Sequence, residues 1–139
     1  MKKILLFLVS ITLSACGRVS QITSEEAAIT ARRLPNIDPR GGQLCMFRSS
    51  NVVGVAMTYE IYADDEYIGR LPNDTYFCIN LEPGEYVIST GGSWQRASAE
   101  TIISLGKRKF MELYVGMNGV SINSVTPEVG LAGIYDTIK

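Results

Sequence analysis

The stretch YEIYADDEYIGRLPNDTYFCINLEPGEYVIS, Tyr59 to Ser89, decides the fold of this chain. It consists of short runs rich in Tyr, Ile, Val, Phe and Thr, and turn residues bound each run. Runs of about four to eight residues with this composition are typical of strands in an all-β domain. The turn residues are Asp64-Asp65, Pro72-Asn73-Asp74 and Glu82-Pro83-Gly84, and we predict a hairpin at each of them.

The same pattern continues on both sides of this stretch. We predict eight strands, at Leu44–Arg48, Met57–Ala63, Glu66–Leu71, Thr75–Leu81, Glu85–Thr90, Glu100–Leu105, Lys109–Gly116 and Val120–Val125. Met117-Asn118-Gly119 carries the Asn-Gly signal of a hairpin. Short strands without a convincing helix between them predict an antiparallel β-sandwich of about seven or eight strands, immunoglobulin-like, over residues 43–139. After the last strand, Pro127 and Gly130 are helix breakers, which favours a tail packed along a sheet edge.

The N-terminus has the layout of a secretory signal peptide. Lys2 and Lys3 precede the apolar run Ile4–Leu13, and the small residues Ser14 and Ala15 follow it. As a helix, this run is about 15 Å long, half of the ~30 Å hydrocarbon core of a bilayer. We therefore predict that residues 1–15 are a cleaved signal and not a transmembrane helix.

Leu13-Ser14-Ala15-Cys16 resembles the lipobox of bacterial lipoproteins, which is an aliphatic residue, two small residues and a cysteine. The resemblance implies cleavage between Ala15 and Cys16, a diacylglycerol on the Cys16 thiol and a fatty acid such as palmitate on the new amine. Several acyl chains hold a small protein on a membrane almost permanently. Gly17 stands where an Asp would imply retention in the inner membrane, so the resemblance implies the outer membrane, facing the periplasm.

Residues 16–42 are predicted to be the lipidated N-terminus and a tether. Thr23-Ser24-Glu25-Glu26 has the capping-box pattern of a helix start, and Arg32-Arg33 suits a last helical turn. Pro35 ends the helical signal, so a short helix or a disordered stalk is expected. Without residues 1–15, the chain keeps 11 of its 13 Lys and Arg against all 14 Asp and Glu. This slightly acidic balance argues against a nucleic-acid partner.

The motif Leu81-Glu82-Pro83-Gly84-Glu85-Tyr86 is similar to the strand entry of PEGA-type domains in small bacterial envelope proteins. Leu105-Gly106-Lys107, followed by Phe110 and Tyr114, resembles a later strand of the same domains. The resemblance is closest to a lipoprotein domain family of unknown function, and it covers about residues 43–126. These motifs are turns and strand ends, so they imply a fold and carry over no catalytic residue. Asp65-Glu66 departs from the glycine that is usual in the first turn.

The composition excludes several kinds of catalytic site. The chain has no histidine, which removes Ser-His-Asp and Cys-His nucleophile systems and histidine metal sites. Asp64-Asp65-Glu66 lacks a calcium-ligand spacing, and a hairpin turn explains it more simply. We therefore predict no enzyme activity, no metal site and no cofactor.

Cys45 and Cys78 remain as a pair once Cys16 is assigned to lipid. The periplasm is oxidising, which favours a disulfide between neighbouring cysteines. Both lie on the less apolar face of their predicted strands, as expected for a cross-strand pair. The alternative is two free thiols on strands whose Cα atoms are more than about 7 Å apart, too far to be bridged.

Trp94 is the only tryptophan, and it lies beside Gln95 and Arg96 in a Gly-rich loop. A loop tryptophan with polar neighbours can stack on a sugar or anchor a protein partner, whereas the simpler interpretation is a plug over the sandwich end. Two functions fit these observations. The first is a non-catalytic lipoprotein that binds an envelope protein or self-assembles. The alternative is a glycan-binding module, for instance for peptidoglycan, that uses the Trp94 loop.

Overall fold

The computed structural model describes residues 22–92 and 95–139. Its elements in chain order are α1 (Ser24–Arg33), β1 (Gly42–Arg48), β2 (Tyr59–Ala63), β3 (Glu66–Leu71), β4 (Thr75–Leu81), β5 (Gly84–Thr90), β6 (Ser98–Ile103), β7 (Arg108–Gly116), β8 (Gly119–Val125) and α2 (Pro127–Ile138). The eight strands lie within two residues of their predicted positions. The predictions for Ala15, Cys16 and Trp94 fall outside the described residues.

The strands form two four-stranded sheets, which confirms the β-sandwich. Sheet A has the order β4-β1-β7-β8, and sheet B has the order β3-β2-β5-β6. Neighbouring strands are antiparallel except β1 and β7, which are parallel. Parallel neighbours need a long crossover connection, and here the chain passes through both sheets between β1 and β7.

Two of the predicted hairpins are connections between the sheets. Asp64 and Asp65 do form a β2–β3 hairpin, with φ values of 46° and 66° that suit a type I′ turn. The β7–β8 hairpin is also confirmed, since Gly116 pairs with Gly119. In contrast, residues 72–74 join β3 of sheet B to β4 of sheet A, and residues 82–84 join β4 to β5 of sheet B. Neither turn therefore forms a hairpin. Turn residues mark a reversal of the chain, but they do not specify which strand pairs next.

The main hydrophobic core lies between the two sheets. Its fully buried members come from both sheets and include Leu44 and Met46 of β1, Ile61 of β2 and Ile88 of β5. The predicted alternation in β4 is confirmed, because Phe77, Ile79 and Leu81 pack against this core. Tyr76 and Cys78 point to the opposite side of sheet A.

A second, smaller core lies between sheet A and the two helices. Its buried members are Leu34, Cys45, Phe47, Phe110 and Ile134. Strand β1 is therefore covered on both faces, and all seven of its residues are buried. The molecule has three layers, in the order helices, sheet A and sheet B.

Helix α1 begins with the predicted capping box. The Glu26 amide donates to the Thr23 hydroxyl at 3.2 Å, and the Thr23 amide donates to Glu26 Oε2 at 2.8 Å. The backbone hydrogen bond with Thr23, and then a side-chain hydrogen bond with Tyr135 of α2, hold the pKa of Glu26 below its ordinary value. Helix α1 packs against α2, so the described part of the predicted tether lies on the sandwich.

Helix α2 corrects the expectation of a tail packed along a sheet edge. Pro127 occupies the first helical turn, where its missing N–H breaks no helical hydrogen bond, and the Thr126 hydroxyl accepts from the Val129 amide at 3.3 Å. Gly130 and Gly133 permit close approach to sheet A. A Cβ at Gly133 would lie 2.1 Å from Phe47 Cε2. The glycines therefore serve packing and do not break the helix.

Candidate partner-binding face

The outer face of sheet B is left open by the two helices. Both helices lie on the other side of the molecule, where α2 packs against β1, β4 and β7 of sheet A. We call the outward side chains of sheet B the open face. The strand register assigns to it Glu60, Tyr62, Tyr67, Arg70, Glu85, Val87, Ser89, Ser98, Glu100 and Ile102. All of them are exposed or half-buried.

An aromatic pair forms one half of the open face. Tyr62 and Tyr67 lie on either side of the β2–β3 hairpin, with ring centroids 5.9 Å apart and planes at 74°. The Tyr62 hydroxyl donates to Glu60 Oε2 at 2.8 Å. This hydrogen bond is the largest cause that raises the pKa of Tyr62 above its ordinary value. The Tyr62 ring lies against Gly91, where a Cβ would be only 2.5 Å from Cε2.

A groove of about 480 Å³ forms the other half, over strands β5 and β6. Val87 and Ile102 line it with side chains that are 43% and 61% exposed. Carboxylates from Glu85 and Glu100 lie beside them. Apolar side chains flanked by charges are typical of protein-binding surfaces.

Asp64 also lines the groove, and its carboxylate has a structural role there. Its Oδ1 accepts from the Val87 amide at 2.8 Å, and its own amide donates to the Val87 carbonyl at 3.0 Å. These bonds fasten the β2–β3 hairpin to β5. The pKa of Tyr86 is raised, first by burial and then by the charges of Glu82, Asp64 and Glu66.

The open face is acidic. Three of its side chains are glutamates, Glu60, Glu85 and Glu100, and Arg70 is the only basic residue among them. Asp64 and Asp65 at the hairpin add two further carboxylates. Charge of one sign on a surface attracts ligands of the opposite sign and increases their association rate.

The structure brings together one of the residue pairs predicted from the sequence. Cys45 and Cys78 form a disulfide under the helices, on the side of sheet A away from the open face.

The predicted binding residues Gln95 and Arg96 are exposed in the loop that joins β5 to β6. Arg96 Nε donates to the Gly92 carbonyl at 3.0 Å. Nothing in these contacts distinguishes a glycan site.

The residues of the open face were missed from the sequence. Only strand parity separates the tyrosines that face the core from those that face solvent. Tyr59 and Tyr62 differ by an odd number of positions on β2, so Tyr59 is buried and Tyr62 lies outside. To predict the open face, one must also know which sheet the helices cover, and this depends on the position of α2.

Two further observations concern the described residues alone. Residues 22–92 and 95–139 contain no group of three or more His, Cys, Asp or Glu side chains placed to hold a metal ion. In the same part of the chain, no helix combines the length and the apolar character needed to cross a membrane.

Comparison with known proteins finds relatives without a described function. No family model matches the chain. An uncharacterized protein of Haemophilus influenzae is 28% identical over 130 residues, which are 91% of this chain and 76% of that protein. A solution structure of a protein from Eubacterium rectale is similar with a TM-score of 0.43 and 8% identity, over 61% of this chain and 88% of that one. Neither description names a ligand, a partner or an activity.

Proposed function

We propose that this protein is a non-catalytic lipoprotein of the bacterial cell envelope that binds another protein through the open face. The observation that carries the proposal is the asymmetry of the sandwich. Sheet A is covered by α2, against which α1 packs, whereas sheet B exposes Tyr67, Val87 and Ile102 on its outer side. Exposed apolar side chains grouped on one face are typical of interaction sites.

The chemistry of the open face defines the partner. The open face carries three glutamates and a single basic residue, Arg70, which favours a partner with Lys or Arg around an apolar anchor. The groove lined by Val87 and Ile102 would hold the apolar anchor, and Glu85 and Glu100 would pair with the cations. Two copies of this acidic face repel each other, so a different protein is favoured over self-assembly.

The location is the second part of the proposal. The lipobox-like Leu13–Cys16 motif supports a lipid anchor on Cys16, and Gly17 supports the periplasmic side of the outer membrane. Growth with radioactive palmitate tests the anchor. We expect label on the wild-type chain and none on Cys16→Ser, and a Cys16→Ser protein that still takes up label would contradict it.

Site-directed photocrosslinking in intact cells tests the partner. Tyr67 on the open face and Tyr114 on sheet A are equally exposed, at 53% and 52%, so they form a matched pair. A photoreactive phenylalanine at position 67 should give a discrete product with another protein, and the same group at position 114 should not. No product at position 67, or the same product at both positions, contradicts the proposal.

Charge reversal tests whether the open face selects its partner by charge. We expect Glu85→Lys combined with Glu100→Lys to abolish the product at position 67, because both carboxylates line the groove. Glu128→Lys in the first turn of α2 is the control, and it should leave the product unchanged. A product with twice the mass of this chain would instead indicate self-assembly and would contradict the proposed partner.

A further inference from the structure

One end of the sandwich is formed by exposed apolar side chains. We call it the apolar end, and it consists of loop 49–58, between β1 and β2, and the tip of the β7–β8 hairpin. Val52, Val55 and Met57 in the loop and Met117 at the tip are all exposed, Val52 and Met117 to 88% and 90%. Isolated apolar residues on a surface need no explanation, but a group confined to one end does.

The apolar end is also free of charge along both of its segments. Residues 49–58 contain no Asp, Glu, Lys or Arg, and neither do residues 113–122, which form the outer half of the β7–β8 hairpin. Elsewhere the chain carries 27 such residues, 19% of its length. The same end of the sandwich also carries exposed Asp74, in the β3–β4 loop, and exposed Arg96, in the β5–β6 loop, so the apolar surface is limited to these two segments.

The loop of the apolar end is held in one shape. Arg48 is buried, and its guanidinium donates to the Met57 carbonyl at 2.6 Å and to the Gly54 carbonyl at 2.6 Å. Asn51 Nδ2 donates to the Val115 carbonyl at 2.8 Å, which fastens the loop to the end of β7. The Gly54 and Met57 carbonyls are thus turned toward Arg48, whereas the side chains of Val52, Val55 and Met57 are exposed.

The direction of α2 relates the apolar end to the N-terminus of the chain. Gly130 of α2 lies over Phe110, which pairs with Cys45 of β1, and Gly133 lies over Phe47. Helix α2 therefore runs in the direction of β1, toward Arg48 and the apolar end.

Helix α1 runs in the opposite direction to α2. Its first turn lies at the end of α2, where Glu26 faces Tyr135. After its last turn, the Pro35 carbonyl accepts from Gln43 at the start of β1, at 3.0 Å. The chain thus enters the described structure at Thr23, on the same end of the molecule as loop 49–58.

The distance from the proposed anchor to this end is short. Six residues, 17–22, separate Cys16 from Thr23. Covalent geometry limits seven Cα–Cα steps to at most about 25 Å. An acylated Cys16 would therefore keep Thr23, and with it this end of the molecule, within about 25 Å of the lipid surface.

We infer that the apolar end rests on the lipid bilayer, with Val52, Val55 and Met117 inserted at the headgroup boundary. The inference rests on the proposed lipid anchor and adds a defined orientation to it. Amphipathic helices at a membrane surface insert their apolar face about 5–10 Å into this boundary, and we expect a similarly shallow depth for these side chains. In this orientation, the sheets stand upright on the membrane. The open face then points sideways, where a partner can reach it.

Fluorescence quenching on vesicles tests the orientation. The full chain is purified in detergent from the envelope fraction and reconstituted into vesicles of phosphatidylethanolamine and phosphatidylglycerol. A single cysteine, Met117→Cys or Leu105→Cys, is labelled with an NBD fluorophore, since Cys45 and Cys78 are already bonded. Leu105 is a matched control because it is 60% exposed and lies beside Gly106, whose amide donates to Gly41 at the opposite end.

We expect nitroxide-labelled lipid to quench the probe at position 117 at least about twofold more than the probe at position 105, given the shallow insertion of such surfaces. Val52→Asp should reduce the quenching at position 117, and Ser104→Asp at the far end should not. Both positions are exposed, so neither change perturbs the core.

Mass spectrometry and vesicle flotation separate the anchor from the orientation. An acylated protein that floats with the vesicles but shows equal quenching at both positions overturns the inference and leaves the anchor standing. A chain without acyl groups that does not float overturns both. A probe at position 117 that is protected from aqueous iodide but not quenched by lipid indicates a protein at this end, and it also overturns the inference.

Discussion

Cys45 and Cys78 lie directly opposite each other on β1 and β4, with 4.1 Å between their Cα atoms, and their sulfurs form a disulfide. The short Cα distance is typical of a non-hydrogen-bonded pair in an antiparallel ladder, where side chains approach closely. The disulfide therefore ties β1, an inner strand of sheet A, to the edge strand β4, beneath the helices.

We expect loss of this disulfide to destabilise the protein. A bridge across a sequence separation of 33 stabilises by about 3–4 kcal/mol in the chain-entropy model. Urea unfolding of the Cys45→Ala, Cys78→Ala double variant should show this loss in the free energy of unfolding. Reduction of the wild-type chain should lower its unfolding midpoint, whereas the double variant should not respond to reductant. An unchanged midpoint after verified reduction would contradict the prediction.

Gly133→Ala should destabilise the protein although alanine is the better helix former. The new Cβ would clash with the Phe47 ring at 2.1 Å. Overpacking of this kind costs about 1–3 kcal/mol, which exceeds the helix-propensity gain of about 1 kcal/mol. Thermal and urea unfolding measure the change. In a Phe47→Leu background the cost of Gly133→Ala should fall, and equal costs in both backgrounds would show that the clash is not the cause.

Arg48→Met should loosen the apolar end. It removes the donors to the carbonyls of Gly54, Met57 and Leu71, and each buried acceptor without a partner costs about 1–3 kcal/mol. We expect a loss of at least about 3 kcal/mol in the free energy of unfolding. Proteolysis should first cut within residues 49–58, with exposed Arg70→Met as the control. If Arg48→Met had the same cleavage sites and the same stability as Arg70→Met, Arg48 would not hold the loop.

Glu112→Gln should change the pH dependence of stability. Burial raises the pKa of Glu112 above its ordinary value of 4.5, and a hydrogen bond with Ser49 opposes the shift. The native state therefore holds this proton more tightly than the unfolded state. The stability that the protonated carboxyl contributes is present below the ordinary pKa and lost as pH rises through the raised native pKa.

Urea unfolding between pH 4 and pH 8 tests this effect. The wild-type chain should lose stability with rising pH relative to Glu112→Gln, because the amide stays uncharged. Glu66→Gln on the exposed β3 strand is the control for a simple change of net charge. A constant difference between wild type and Glu112→Gln across the pH range would show that Glu112 does not titrate with folding.

The strands could be predicted from the sequence because turn residues bound each apolar run. The bounds predicted for Glu66–Leu71 and Thr75–Leu81 agree with the structure at both ends. The disulfide was predictable for a related reason, since parity placed Cys45 and Cys78 on corresponding faces of their strands. Both inferences use only local pattern, which the sequence displays directly.

Helix α2 and the open face could not be predicted in the same way. Pro127 and Gly130 are helix breakers in isolation, and only the contact of α2 with Phe110 and Phe47 explains its glycines. The open face depends in turn on α2, because the position of the helices decides which sheet is covered. Tertiary packing therefore determines the candidate site, whereas local pattern determines the strands.

The position of β1 between β4 and β7 has a consequence for the order of folding. Met46 pairs with Phe77 on one side and with Met111 on the other. The ribosome must therefore complete most of the chain before β1 has both of its neighbouring strands. Domains with so many non-local pairings fold slowly, on the order of milliseconds to seconds. Until then the nascent chain presents an unpaired apolar strand, a natural substrate for chaperones that keep polypeptides extended.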